Sequence, residues 1–230
     1  MKIWLLFKKN KGVGMIVTID GPAAAGKGTL AAKISEKYNL ACFDTGMIYR
    51  AVGLKLIIDG KNVEDEDSAL GVAQNMTFPL MMELSKHPDF RSSAGGNAAS
   101  KVSAIPSVRQ ALLQMQRDFA KSPRFPDGRP ASGVVYDGRD AGTVICPNAD
   151  KKFFITAAPE VRAMRRYKEF QQKGISTTYE EVLAQTKERD ARDSSRSSAP
   201  MKPAEDAVII DTSNLSIDEV YQKVCEIIDS

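Results

Sequence analysis

The chain has 230 residues, 43% hydrophobic, 27% charged and 7% aromatic. This is ordinary globular usage, which excludes a disordered, collagen-like or low-complexity protein and fits one generous domain or one domain carrying an insertion. Thirty-two basic against 29 acidic residues leave a net charge of +3, too little for a general case for nucleic acid, so an anionic partner must be met by locally gathered cations.

Cys42, Cys146 and Cys225 form no CxxC pair and point to a reducing compartment. The single histidine, His87, removes Ser-His-Asp triads and histidine-rich zinc sites. At the N-terminus, MKIWLLFKKNKGVG (residues 1–14) has an apolar core of Ile3 to Phe7, too short for a signal peptide. No run in the chain approaches the ~20 apolar residues of a membrane helix. We expect residues 1–14 to be a flexible extension or to follow from an upstream start, with Met15 the true one; a weak membrane-surface anchor is the alternative.

Apolar runs at Ile16–Ile19, Leu40–Phe43, Val134–Tyr136, Phe153–Ile155 and Val208–Ile210 read as strands buried on both faces. Helical periods fall between them, at Lys27–Tyr38, Met47–Ile58, Ser107–Lys121, Pro159–Lys173, Thr178–Arg189 and Ile217–Asp229. Ser216 and Glu219 form a capping-box pattern before the last of these. The alternation predicts an α/β fold with a mainly parallel sheet. Asp59 to Pro106 breaks the rhythm and reads as an insertion: Glu64–Asn75 is helical, Met76–Arg91 is mixed, and Gly95-Gly96 would loosen any helix. Ser122–Gly133, with three prolines and Asp127-Gly128, is a loop.

Between the first strand and the first helix lies GPAAAGKGT: Gly21, Pro22, Ala23, Ala24, Ala25, Gly26, Lys27, Gly28 and Thr29. Strand, glycine-rich turn and helix are the context of a phosphate loop, whose backbone amides and helix N-terminus cradle phosphate oxygens. Lys27 would serve the β- and γ-phosphates and a hydroxyl, that of Thr29, would join Mg²⁺. Gly28 interrupts the common GK[ST] ending, and GKGT is similar to the form in nucleoside monophosphate kinases. No NKxD guanine signature occurs.

Three further segments sit at or near strand ends, where open α/β sheets bind ligands. They are DTGMIYR (Asp44–Arg50), GNAASKVSAIPSVR (Gly96–Arg109) and YDGRDAGTVICP (Tyr136–Pro147). Together with GPAAAGKGT and KERDARDSSRSSAP (Lys187–Pro200), in this order, they make the chain resemble the bacterial cytidylate kinases from about Ile16 to the C-terminus. The resemblance implies phosphoryl transfer from ATP to CMP or dCMP with Mg²⁺, by a monomeric cytoplasmic enzyme that needs no nucleic acid or membrane. It also implies a P-loop kinase fold of three layers, with a five-stranded parallel sheet flanked by helices, an acceptor subdomain and a short lid. Residues 15–230 then form a single kinase domain: core 15–58, 107–161 and 197–230, acceptor insertion 59–106, and lid 162–196.

By motif, the resemblance assigns the cytosine to Thr45, Ser100, Arg109 and Asp140, and the acceptor phosphate to Arg50 and Arg139. It assigns the ribose to Asp193, with Arg189 nearby. Cytosine offers an amine donor beside two acceptors, which suits a carboxylate and an arginine; uracil would leave Asp140 facing another acceptor. Lys27, Arg139, Arg189 and Arg196 are the expected catalytic cations. Arg162 and Arg166 share a helical face and would reach ATP, and Arg189, Arg192, Asp193 and Arg196 would share another if their segment is helical. Ser194–Pro200 is the expected mobile lid tip, and Asp137 is a second candidate for Mg²⁺. Against this stand a UMP or AMP kinase, and an arginine-rich nucleic-acid-binding protein. Relative to the family, Met76–Arg91 is short and Ser122–Gly133 long.

Overall fold

Five short, nearly continuous apolar segments pair into one parallel sheet; the inner strands are buried over most of their length, as expected, whereas the edge strands keep one side open, exposing Cys42 and, against expectation, Val208 and Ile209. The five are β1 (Met15–Asp20), β2 (Ala41–Asp44), β3 (Gly133–Gly138), β4 (Lys151–Thr156) and β5 (Val208–Asp211), in the spatial order β2-β3-β1-β4-β5. All four pairings are parallel, with Asp20 beside Gly138 and Asp44 beside Asp137. The computed structural model describes residues 14–230, so the expected extension lies outside the described residues save for Gly14.

Helices α1 (Lys27–Tyr38) and α9 (Ile217–Asp229) pack against the sheet. Leu30 and Ile34 of α1, with Val220 and Val224 of α9, close a core over Val17, Ile19, Phe153 and Ile155. Ser216 and Glu219 form the expected capping box, satisfying two amides that α9 would otherwise leave open.

The insertion is helical. Helices α2 (Gly46–Ile58), α3 (Glu66–Gln74), α4 (Phe78–Leu84), α5 (Ser93–Val102) and α6 (Pro106–Lys121) bury a second apolar cluster built on Ile48, Leu54, Leu56, Phe90, Val102 and Leu112. Because α2 and α6 belong to this cluster, the inserted helices are packed as one body with the two helices that join them to the sheet.

Gly95-Gly96 does not prevent a helix, contrary to expectation. Ser92 caps α5 through its hydroxyl, and a Cβ on Gly95 would stand 2.5 Å from the carbonyl oxygen of Asp89. The glycine admits a close approach between α5 and the 3₁₀ turn Pro88–Arg91, and that contact outweighs its poor helix propensity.

Helices α7 (Pro159–Gln172) and α8 (Tyr179–Ser194) form a hairpin with its own small core of Ala163, Phe170 and Val182. α8 runs beyond the expected Arg189 and so carries Arg192 and Asp193. Ser194–Pro200, the expected lid tip, exposes Ser194, Ser195 and Ser197 but is tied down at Arg196. The Arg196 side chain is buried and bonded to Asp193 and Ser103, and the N–H of Met201 donates to the Asp193 carbonyl at 2.9 Å. Among the described residues no helix is long and apolar enough to cross a membrane.

Candidate active site

The carboxyl ends of β1, β2 and β3 open onto a cleft of about 510 Å³, bounded by α5 and α6 on one side and by α7 and α8 on the other. Its first wall is the turn between β1 and α1. Ala24 (φ 60°) and Gly26 (φ 92°) both lie in the left-handed region, a turn that gathers backbone N–H groups into an anion-binding concavity. Gly26 is the N-cap of α1 and supplies no side-chain bond to it. The helix therefore presents its amides and positive dipole end to the cleft. Ala23, Ala24, Gly26, Lys27, Gly28 and Thr29 border the cleft, whereas Gly21, Pro22 and Ala25 stand behind it.

The Lys27 ammonium donates to the Pro22 carbonyl at 2.9 Å and lies 3.7 Å from Asp137 Oδ1. Burial, then the neighbouring Arg139, push its pKa down to about 8 against the pull of Asp137 and Asp44. A phosphate group beside it would reverse that balance.

The second wall reads shape and charge. Arg109 of α6 and Asp140, just past β3, form a buried ion pair, and Arg109 also donates to the Ser103 carbonyl at 3.1 Å. Burial opposes the Arg109 charge, but Tyr49 and Asp140 outweigh it and raise its pKa. Its guanidinium lies 5.3 Å from the centroid of the Tyr49 ring, within cation–π range. Thr45 donates to the Asp137 carbonyl at 3.0 Å and faces the same space.

Between these walls the cations converge. Asp193 accepts from Arg139 Nε at 3.1 Å and from Arg196, and Arg189 Nε lies 3.9 Å away. Burial disfavours the Asp193 carboxylate, yet the three arginines hold its pKa below the ordinary value. Arg189, pressed by burial and by Arg139, is pushed down to about 9. Its Nε is buried and has no hydrogen-bond partner among the described residues, a donor left for an anion. Arg50 spends one bond on the Phe90 carbonyl at 3.3 Å, and Arg166 stacks over Phe170.

Besides Gly21, Pro22 and Ala25, two expected ligand side chains are placed elsewhere. Arg162 lies under the cleft: its Nε donates to Ala157 and a terminal nitrogen to Ala23, and Asp190 takes two further bonds. Burial leaves an arginine little choice but to satisfy every donor locally, so Arg162 ties the phosphate loop to α8, while Arg166, one turn on, reaches the cleft. Ser100 accepts from Arg192 at 2.8 Å and does not border the cleft; Ser103, one turn later, does. Asp44, Tyr49 and Arg91 also border it, although the sequence reading assigned them no role. The first two lie inside DTGMIYR, so the motif itself was the available signal.

The family model described as cytidylate kinase matches residues 17–230. The chain belongs to the cytidylate kinase family. Similar curated relatives bear that name. One from Paramagnetospirillum magneticum is 46% identical over 94% of this chain and 98% of its own, and one from Methylocella silvestris is 44% identical over 94% of each. One from Vibrio vulnificus is 41% identical over 94% of this chain and 96% of its own. A solved structure of an uncharacterized protein from Eubacterium ventriosum covers 94% of this chain and 99% of its own with a TM-score of 0.51 at 14% identity, a likeness of fold.

The Mg²⁺ that membership in the cytidylate kinase family suggests can be tested against the oxygen donors of the cleft. No group of three or more histidines, cysteines or acids suited to a metal gathers among the described residues, so no closed cage is offered. Asp137 has Lys27 as its one charged partner there, at 3.7 Å, and its Oδ2 would stand 3.4 Å from a Cβ on Gly28, beside Thr29. Burial raises the Asp137 pKa, with Lys27 opposing and Asp44 adding repulsion. A carboxylate and a hydroxyl at the mouth of a phosphate loop fit an ion that keeps most of its ligands as water and phosphate oxygen.

Proposed function

We propose that this chain transfers the γ-phosphoryl group of ATP to CMP or dCMP, giving ADP and CDP or dCDP. The observation that carries the reading is one of placement. The phosphate loop with Lys27, and the Arg109–Asp140 pair suited to the cytosine edge, open onto one cleft with Arg50, Arg139 and Arg189 between them.

In this reading the triphosphate lies on the amides of Ala23 to Gly28, with Lys27 against its outer phosphates and Arg166 over the lid side. The acceptor base meets Asp140, Arg109, Ser103 and Thr45. Its phosphate is held by Arg50, Arg91 and Arg139, and its ribose by Asp193. The two substrates together bring about six negative charges at neutral pH, since the second pKa of a phosphate monoester is ~6. The cluster of Lys27, Arg139, Arg189 and Arg196 offsets their repulsion. Thr29 and Asp137 would hold Mg²⁺, which when bound would supply further neutralisation of phosphate charge. The attacking phosphate oxygen is already ionised and needs no protein base. Catalysis is then positioning and electrostatic stabilisation, in keeping with a chain that has one histidine, exposed and not among the residues that line the cleft. We take the enzyme as a cytoplasmic monomer acting on free nucleotides, not on nucleic acid or at a membrane; one chain supplies every side chain named.

A coupled assay of ADP release with CMP, dCMP, UMP and AMP tests the reading. A clear preference for CMP and dCMP is expected. Equal or better turnover of AMP would overturn it.

A further inference from the structure

Asp20 is the last residue of β1, is buried, and does not border the cleft. Its two oxygens are divided between consecutive amides of another segment: Oδ1 accepts from Ala141 at 2.8 Å and Oδ2 from Gly142 at 2.7 Å. Those amides directly follow Arg139 and Asp140, which reach the acceptor side of the cleft. We infer that Asp20 is a positioning residue for acceptor selectivity, which orients Asp140 through this double hydrogen bond; the inference rests on reading the cleft as a CMP site.

The geometry favours orientation over simple anchoring. One hydrogen bond fixes a point, whereas two bonds to successive amides also fix the direction of the chain. The segment they hold is a single π-helical turn, Ala141–Ile145, a form of helix that needs external support. The Asp140 carbonyl starts it by accepting from Ile145 at 3.3 Å as well as from Val144 at 2.9 Å, and Arg117 holds its far end by donating to the Val144 carbonyl at 2.8 Å. Asp140 therefore sits at the near end of a turn clamped on both sides. The fit beneath it is close: a Cβ on Gly142 would stand 2.8 Å from Thr18 Oγ1, and one on Gly138 would stand 3.0 Å from Asp20 Oδ1. A carboxylate buried at a strand end is costly, and an apolar residue would fill the same volume without fixing the turn.

The test uses the full chain and steady-state kinetics with CMP, UMP and ATP. Asp20→Asn keeps the shape but turns an N–H donor toward a backbone N–H. The KM for CMP should rise about tenfold or more, as expected when a substrate contact is displaced. The kcat/KM preference for CMP over UMP should fall, while the KM for ATP holds. Added to Asp140→Asn, the same change should cause no further loss of preference, because the effect runs through Asp140. Gly142→Ala retains every charge and presses a methyl group against Thr18; it should reproduce the pattern, and it decides the matter alone if Asp20→Asn does not fold. Equal rises in KM for ATP and CMP would assign Asp20 to the phosphate loop and overturn the inference. So would lowered thermal stability with an unchanged CMP-over-UMP preference in both variants. A wild-type chain that fails to phosphorylate CMP overturns the reading of the cleft as well, and does so before any variant is compared.

Discussion

Arg109 and Asp140 meet as a buried ion pair across 31 residues of chain, one from α6 of the acceptor unit and the other from the turn after β3. The pair joins the insertion to the sheet and places a donor fork beside a carboxylate at one spot. The attraction between the two charges offsets part of the cost of burying them.

Asp140→Ala should therefore act twice. It strands the Arg109 guanidinium, which costs about 3–5 kcal/mol for a broken buried pair. It also removes the acceptor suited to the cytosine amine, so the CMP-over-UMP ratio of kcat/KM should fall by about tenfold or more. Denaturant unfolding and paired kinetics check both effects; an unchanged ratio would mean that the base is read elsewhere.

Lys27→Ala separates chemistry from folding. Lys27 is held among cations and burial works against its charge, so its loss should shift the thermal transition little. The rate of phosphoryl transfer should fall by roughly a thousandfold, as when a preorganised charge is removed from a transition state. Melting curves and single-turnover transfer measure the two separately, and a collapsed thermal transition would contradict the expectation.

Gly53→Ala probes the acceptor unit. A Cβ at Gly53 would stand 2.8 Å from the Cβ of Ala98 and 3.2 Å from the Ala99 amide. That is closer than packed atoms allow, so α5, with Ser103 close behind it, must move away from α2. Overpacking of this kind costs about 1–3 kcal/mol, and the KM for CMP should rise while that for ATP holds. Chemical denaturation and initial rates report on both.

Asp20 predicts a pH dependence. Burial pushes its carboxyl up to about 6, although the amides of Gly142 and Ala141 pull the other way. The unfolded chain keeps the ordinary value of 3.8. Between these values the native state binds a proton that the unfolded state has lost, so the contribution of Asp20 to stability grows as pH falls through 6 toward 4. Relative to Asp20→Asn, the wild type should gain on the order of 3 kcal/mol between about pH 8 and pH 4. Urea unfolding of both proteins across that range measures it; parallel curves would contradict the assignment.

The inner strands were legible because a strand covered on both faces must be almost wholly apolar, as in Val134–Tyr136; β5 shares the apolar run but lies at the sheet edge with Ile209 exposed, which the run alone does not tell. α5 was not, because Gly95-Gly96 argues against a helix locally and only the approach to Asp89 reverses the argument. The cleft shows the same division. Motif order singles out Lys27, Arg109 and Asp140, and all three border the cleft. Helical spacing told that Arg162 and Arg166 share a side but not how deep each lies, and the two separate at that step: Arg162 meets Asp190 and Ala23, whereas Arg166 meets the cleft. Ser100 and Ser103 differ by a single turn, a distinction that sequence alone leaves open.

Gly26 begins α1 without offering it a side-chain bond. A serine or aspartate in its place would complete the helix from within and leave the first-turn amides engaged. As built, α1 is completed by whatever anion enters the loop, so the nucleotide is a structural component of the helix as well as a reactant. Nucleotide binding then engages the open amides at the start of α1, and amide hydrogen exchange at Gly28 and Thr29 should slow when the loop is occupied.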